Sequence, residues 1–235
     1  MSLYKRNGKV RWLPSYIRHQ GKITKSQKRA IRDLWPQYGI DFSHKQTISL
    51  WDYFPKQQPI SLEIGFGKGK NLIQLATSNP HKQYLGIEVH RPGIGCVLQQ
   101  IRQHDIQNIR LVRGDALCFL SDHLQQPFFD EVFIFFPNPW RNHTNKKRLL
   151  IQDFSVQIIA NKLYPDANLY LATDVKEYAD HMRAILESDE TWKNQASGFS
   201  IRPVWRPITK YEQKAMDDNG TIYDLWFRYQ PSSAS

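Results

Sequence analysis

The chain has 235 residues, 40% apolar and 23% charged, which is ordinary globular composition and length enough for one domain with a real core. Its 32 Lys and Arg against 22 Asp and Glu leave a net charge of +10, an excess that points to a polyanionic partner. Two cysteines, Cys96 and Cys118, exclude a disulfide framework and a paired-cysteine metal site, and the longest apolar run, residues 132–136, is too short to cross a bilayer.

Residues 1–32 carry ten Lys and Arg and no acid. Such an arm suits phosphates, and it lacks the apolar core of a secretory signal. We expect residues 1–54 to be a basic, partly flexible arm with one short helix, 26–38, broken by Pro36. Pro55 and Pro59 bracket the loop into the main domain, residues 55–230. From there strands and helices alternate. Ile60–Ile64 is a strand, followed by a glycine-rich turn and a helix to about Ser78. Residues 84–89 form a second strand, and their helix shows Ile94, Val97, Leu98 and Ile101 at 3–4 spacing. Ile109–Arg113 is a third strand, and 132–136, apolar throughout, a fourth covered on both faces. Residues 146–163 are predicted helical, 169–172 a strand, 175–187 a helix. Two extended stretches near the end, 192–196 and Tyr223–Tyr229, suit a hairpin closing one edge of the sheet. The pattern is that of a parallel α/β sheet.

Ligands of such sheets bind beyond the carboxyl ends of the strands, so the residues just after each strand carry the function. After the first comes "LEIGFGKGK", where Gly65, Gly67 and Gly69 allow a sharp turn and a close backbone approach. Glu88 ends the second strand, 23 residues beyond Gly65, where doubly wound folds place a carboxylate on a ribose diol. Asp115 follows the third. Lys70 stands where the dinucleotide fingerprint and the phosphate loop each require glycine. Three acids, Glu63, Glu88 and Asp115, at successive strand ends suit a cation, and S-adenosylmethionine carries an ammonium and a sulfonium. Each acid could alternatively cap a helix. A nicotinamide dehydrogenase on a similar sheet is disfavoured by Lys70 and by the charge.

The fourth strand ends in "FFPNPWRNHTNKKRLL". The prolines fix a turn, Asn138 offers an acceptor and donors, and Trp140 offers a stacking face. The pair is similar to the Asn-Pro-Pro-aromatic motif of amino-methyltransferases, by which analogy Asn138 and Trp140 hold a purine. The cations beyond suit phosphates. Lys146, Lys147 and Arg148 would open the next helix, where they oppose its dipole, so a function other than helix stability is expected for them.

"LEIGFGKG", "YLGIEVH", "FFPNPW", "NKKRLL", "ATDVKEYADHM" and "ITKYEQKA" occur in this order, and over residues 55–229 the chain closely resembles the bacterial tRNA (guanine-N7-)-methyltransferases. The resemblance implies a Rossmann-like class I methyltransferase fold: a seven-stranded, mostly parallel sheet, last strand antiparallel, helices on both faces. It implies methyl transfer from S-adenosylmethionine to N7 of a guanosine in the tRNA variable loop. On the matching positions, Glu63, Gly65, Gly67, Gly69, Glu88, Asp115 and Asn138 are expected to bind the cofactor. Asn142, Asp174, Thr209, Lys210, Tyr211 and Glu212 are expected to bind the substrate base, with Asn138 and Asp174 catalytic. Arg141, His143, Asn145, Lys146, Lys147 and Arg148 are expected to contact RNA. Asn138 and Asn142 stand where the family usually has an acid and a lysine, Ala215 where it usually has a glycine, and the segment after Trp140 is about one residue short. A second reading is therefore a tRNA-binding relative whose turnover is weakened or lost. A cytoplasmic monomer or homodimer, without membrane or metal, fits either reading.

Overall fold

The computed structural model describes residues 3–6, 9–12, 14–16, 21–43, 46–55, 58–140 and 143–231. Strands β1 (Leu3–Arg6) and β2 (Lys9–Trp12) form an antiparallel two-stranded sheet in the basic arm. Helix α1 (Lys25–Tyr38) follows, opened by a capping box between Thr24 and Gln27. It continues through Pro36 instead of breaking there. Pro36 is exposed in the last turn, where only one ladder bond is lost before the helix ends.

The main sheet has eight strands: β3 (Gly39–Ile40), β4 (Ile60–Ile64), β5 (Gln83–Glu88), β6 (Ile109–Arg113), β7 (Phe129–Phe135), β8 (Leu163–Thr173), β9 (Trp192–Asn194) and β10 (Tyr223–Tyr229), in the order β3-β6-β5-β4-β7-β8-β10-β9. The seven expected strands are all present. The eighth, β3, adds two residues parallel to β6 at one edge. The last strand, β10, is antiparallel to β8, and β9 pairs with it at the other edge.

Every residue of β4 and β5 is buried, as strands covered on both faces must be. Alternate side chains feed two cores. Leu62, Ile64, Val132 and Ile134 pack with α4 (Ala116–His123), α5 (Asp153–Ala160) and α6 (Lys176–Glu187). Tyr84, Ile109, Leu111 and Phe133 pack with α1, α2 (Lys70–Ser78) and α3 (Arg91–His104). The chain runs from β4 outward through β5 to β6, then returns to β7 on the other side of β4. Strand order therefore reverses between β4 and β7, and the loops after these two strands form the crevice where such sheets bind ligands.

One expected helix is split. Residues 146–163 do not form one element: His143–Arg148 is a 3-10 helix, and α5 begins only at Asp153. The cause is tertiary. Ile151 N–H donates to the Tyr178 hydroxyl and Ile151 C=O accepts from His181, both on α6, so these backbone groups do not enter a helical ladder. Lys146, Lys147 and Arg148 thus sit in the last turn of a helix rather than the first, where its dipole favours cations. No helix among the described residues is long and apolar enough to cross a membrane, and no group of three His, Cys, Asp or Glu among them could hold a metal.

Candidate active site

A cavity of about 530 Å³ opens at the switch point, lined by Gly65, Glu88, Gly114, Asn138 and Asp174 among others. Its first wall is the turn after β4. Gly65, Gly67 and Gly69 all have positive φ, between 57° and 76°. A side chain on Gly69 would lie 2.1 Å from Val97, so this glycine also lets α3 pack close.

Glu88 is held by three backbone N–H groups: Gly67 at 2.9 Å on one oxygen, Val89 at 2.6 Å and His90 at 3.0 Å on the other. A carboxylate has about four acceptor positions, so roughly one remains for a ligand hydroxyl. Glu63, next to last in β4, is 5% exposed, and among the described residues its hydrogen bond comes from Asn71 Nδ2 at 3.1 Å. No cation pairs with it among the described residues. Burial pushes its carboxyl up to about 7; the Asn71 bond opposes this and the Glu88 charge adds to it. Asp115 caps α4, accepting from Cys118 N at 3.1 Å, while its neighbours Gly114 and Ala116 line the cavity. Glu63 itself does not line the cavity; its neighbours Ile64 and Gly65 do, so its carboxyl lies behind the wall. The glycine turn with Glu88 fits a nucleoside hydroxyl, and an acid buried behind the wall favours a cation in front of it.

The opposite wall is the loop after β7. Phe136 and Trp140 both adopt left-handed backbone, φ 52° and 42°, which costs about 1–3 kcal/mol each and persists where structure imposes it. The imposing contacts are Phe136 N to Ala172 O at 2.7 Å and Trp140 N to Asn138 Oδ1 at 3.1 Å. Asn138 therefore spends one lone pair on its own turn and keeps the rest of its amide on the cavity wall. Trp140 does not present a face to a base. It is 8% exposed, its indole N–H donates to Ser15 O at 3.1 Å, and the Arg148 guanidinium covers its ring. Ser15 and Tyr16, brought in from the arm, line the cavity too.

Asp174 follows β8. It is exposed, lines the cavity, and makes no hydrogen bond or ion pair among the described residues. Helix α6 is capped at Val175 instead, so capping does not account for it. Thr209 and Glu212 form the capping box of α7 (Lys210–Asp217). Glu212 is 1% exposed, held by both Arg202 and Arg206, and Arg206, fully buried, also meets Asp224. Its guanidinium lies over Phe135 and Phe136, while Lys70 and Gln74 of α2 donate to Ile208 O and Trp205 O. The 205–212 segment is thereby fixed beside both walls. No sequence period marks Arg202 or Arg206, and neither was expected to matter. Lys146 and Lys147 are both exposed, and Lys146 Nζ lies 3.7 Å from Glu177. Arg141 and Asn142 lie outside the described residues, as do the side chains of His143, Asn145, Lys210 and Tyr211.

The doubly wound sheet, its glycine turn and this cavity define a class I methyltransferase. The methyltransferase KamB of 16S rRNA, 13% identical, superposes with a TM-score of 0.56 over 91% of this chain and 97% of that one. The antibiotic-resistance methyltransferase Kmr, 11% identical, gives 0.57 over 83% and 96%. A family model described as putative methyltransferase matches residues 57–225. The tRNA (guanine-N(7)-)-methyltransferase of Halorhodospira halophila is 37% identical over 222 residues, 94% of this chain and 96% of that protein. Its counterpart in Nitrosomonas eutropha is 39% identical over 213 residues, 91% and 95%. The chain belongs to the tRNA (guanine-N(7)-)-methyltransferase family.

Proposed function

We propose that the protein transfers a methyl group to N7 of a guanosine in the variable loop of tRNA, with Asn138 and Asp174 as the groups that meet the base. The methyl donor is S-adenosylmethionine. When bound, it supplies a methyl on a positively charged sulfur. The observation that carries the reading is the Asp174 carboxylate, exposed in the same cavity as Glu88 and Asn138 and without a hydrogen bond or ion pair among the described residues.

The chemistry asks little proton work of this site. Guanine N7 has an in-plane lone pair and no hydrogen. The bound cofactor would supply a carbon for that lone pair and a sulfur that takes up the bonding pair, while Asn138 and Asp174 would hold the base. No proton leaves, so the acid usual at position 138 is not an obligatory base, and Asn138 can serve. The protein's task is alignment. Positive charge develops on the guanine ring as the bond forms, and the Asp174 carboxylate is placed to stabilise it. Glu88 and the glycine turn hold the nucleoside part of the cofactor, and buried Glu63 favours its cationic end. Thr209 and Glu212 act on substrate indirectly, by fixing the 205–212 segment, and Lys147 with the basic arm holds phosphates.

Purified protein, unmodified tRNA and the methyl donor should yield 7-methylguanosine by mass spectrometry of digested tRNA. Wild type that binds tRNA and methylates nothing would establish the binding-relative reading instead.

A further inference from the structure

A second cavity, about 320 Å³, lies across Pro139 from the first. Pro139 lines both, and the consecutive residues Asp174 and Val175 line one each, so the two are separated by little more than a ridge of backbone. Leu149, Val175 and Tyr178 supply apolar wall and His181 a ring. We propose that this cavity binds the base of the nucleotide adjacent to the target guanosine, making it a second recognition subsite on the same RNA strand. The proposal rests on the tRNA methyltransferase reading above and extends it to a neighbouring nucleotide.

Three observations carry it. The volume is near the lower bound of ligand cavities, about 300–1,000 Å³, and suits one base rather than a dinucleotide. The walls are fixed in advance. Ile151 N–H donates to Tyr178 Oη at 3.2 Å, and Ile151 C=O lies 3.0 Å from His181 Nε2, so one residue's backbone pins both rings. These are the contacts that split the expected 146–163 helix. Finally, among the described residues the cations at the rim are paired: Lys146 faces Glu177 at 3.7 Å and Lys176 faces Asp180 at 2.6 Å. A balanced rim does not select a phosphate, whereas the half-buried His181 ring, backed by apolar wall, can pack on the π-face of any base. His181 adds an edge. A carbonyl only accepts, so Nε2 carries the hydrogen toward Ile151, and in the neutral ring Nδ1 is an acceptor for an amino or imino hydrogen of the base.

The test uses full-length unmodified tRNA transcripts in three forms: intact, abasic 5′ of the target guanosine, and abasic 3′ of it. Methyl incorporation is measured with wild type and with His181→Ala and Leu149→Trp. One abasic form should lower wild-type kcat/KM about tenfold or more. The two variants should lose a similar factor on intact tRNA, lose little more on that abasic form, and keep the wild-type affinity for the methyl donor. Such non-additivity marks direct contact. If both abasic forms are methylated by wild type within about twofold of intact tRNA, the subsite is wrong and the methyltransferase reading stands. If wild type methylates none of the three, both fall.

Discussion

The Arg148 guanidinium carbon lies 4.1 Å from the centre of the Trp140 ring, and both side chains reach back to the same stretch of the arm. The indole holds Ser15 O, while Arg148 donates to Pro14 O at 3.0 Å and Tyr16 O at 3.2 Å. Residues whose sequence suggested RNA and base contacts hold residues 14–16, of which Ser15 and Tyr16 line the cavity that Glu88 and Asn138 also line.

Arg148→Met should therefore act on the cofactor. It removes a cation–π contact worth about 0.5–2 kcal/mol and two charge-assisted bonds to the wall segment. We expect the cofactor dissociation constant to rise about tenfold by calorimetry. The salt dependence of tRNA binding should barely change, whereas Lys147→Gln should lower its slope by about one. The reverse pattern would make Arg148 a phosphate contact.

Glu63 sets a pH dependence. Its carboxyl is protonated in both folded and unfolded chains below about 4.5, but up to about 7 only the folded chain keeps the proton. Stability of the free protein therefore falls with rising pH across that window, by about 3 kcal/mol from this group. Glu63→Gln should remove this slope in thermal unfolding. A bound cation favours the ionised form, so wild-type cofactor affinity should rise about tenfold between about pH 6 and pH 8, and the Gln variant should be flat. Identical profiles for the two proteins would exclude Glu63 as the responsive group.

Asn138→Asp restores the acid usual in the family. Because N7 has no proton to lose, the methylation rate should change by less than about a hundredfold, or about 2.7 kcal/mol. Asp174→Ala should cost more, since on the proposed reading its carboxylate stabilises the charge that develops on the base. Mass spectrometry of tRNA treated with each variant reads both. Activity confined to Asn138→Asp would show that wild type only binds.

Arg206→Met should destabilise the fold. It would leave Glu212 with Arg202 alone and Asp224 buried without its partner; breaking a buried pair this way costs about 3–5 kcal/mol. A lowered melting temperature is expected, together with weaker substrate methylation at temperatures where the variant remains folded. An unchanged melting temperature would mean that the network contributes nothing to stability.

The sequence by itself determined the elements whose signals are local. Apolar runs such as Ile60–Ile64, glycines at 65, 67 and 69 and acids at strand ends each depend on a few neighbouring residues, and order along the chain then fixed the doubly wound sheet and the end at which its ligands bind. Tertiary structure decided what depends on residues far apart. Ile151 leaves the helical ladder because Tyr178 and His181 take its backbone. Trp140 is buried because Ser15 and Arg148 meet it. Glu212 turns inward because Arg206 lies beneath it, and β3 pairs with β6 across about seventy residues of chain. Asp174 and Asn138 share one cavity for the same reason: β7 and β8 are neighbours in the sheet, a relationship set by burial of the whole sheet rather than by either residue's surroundings in sequence.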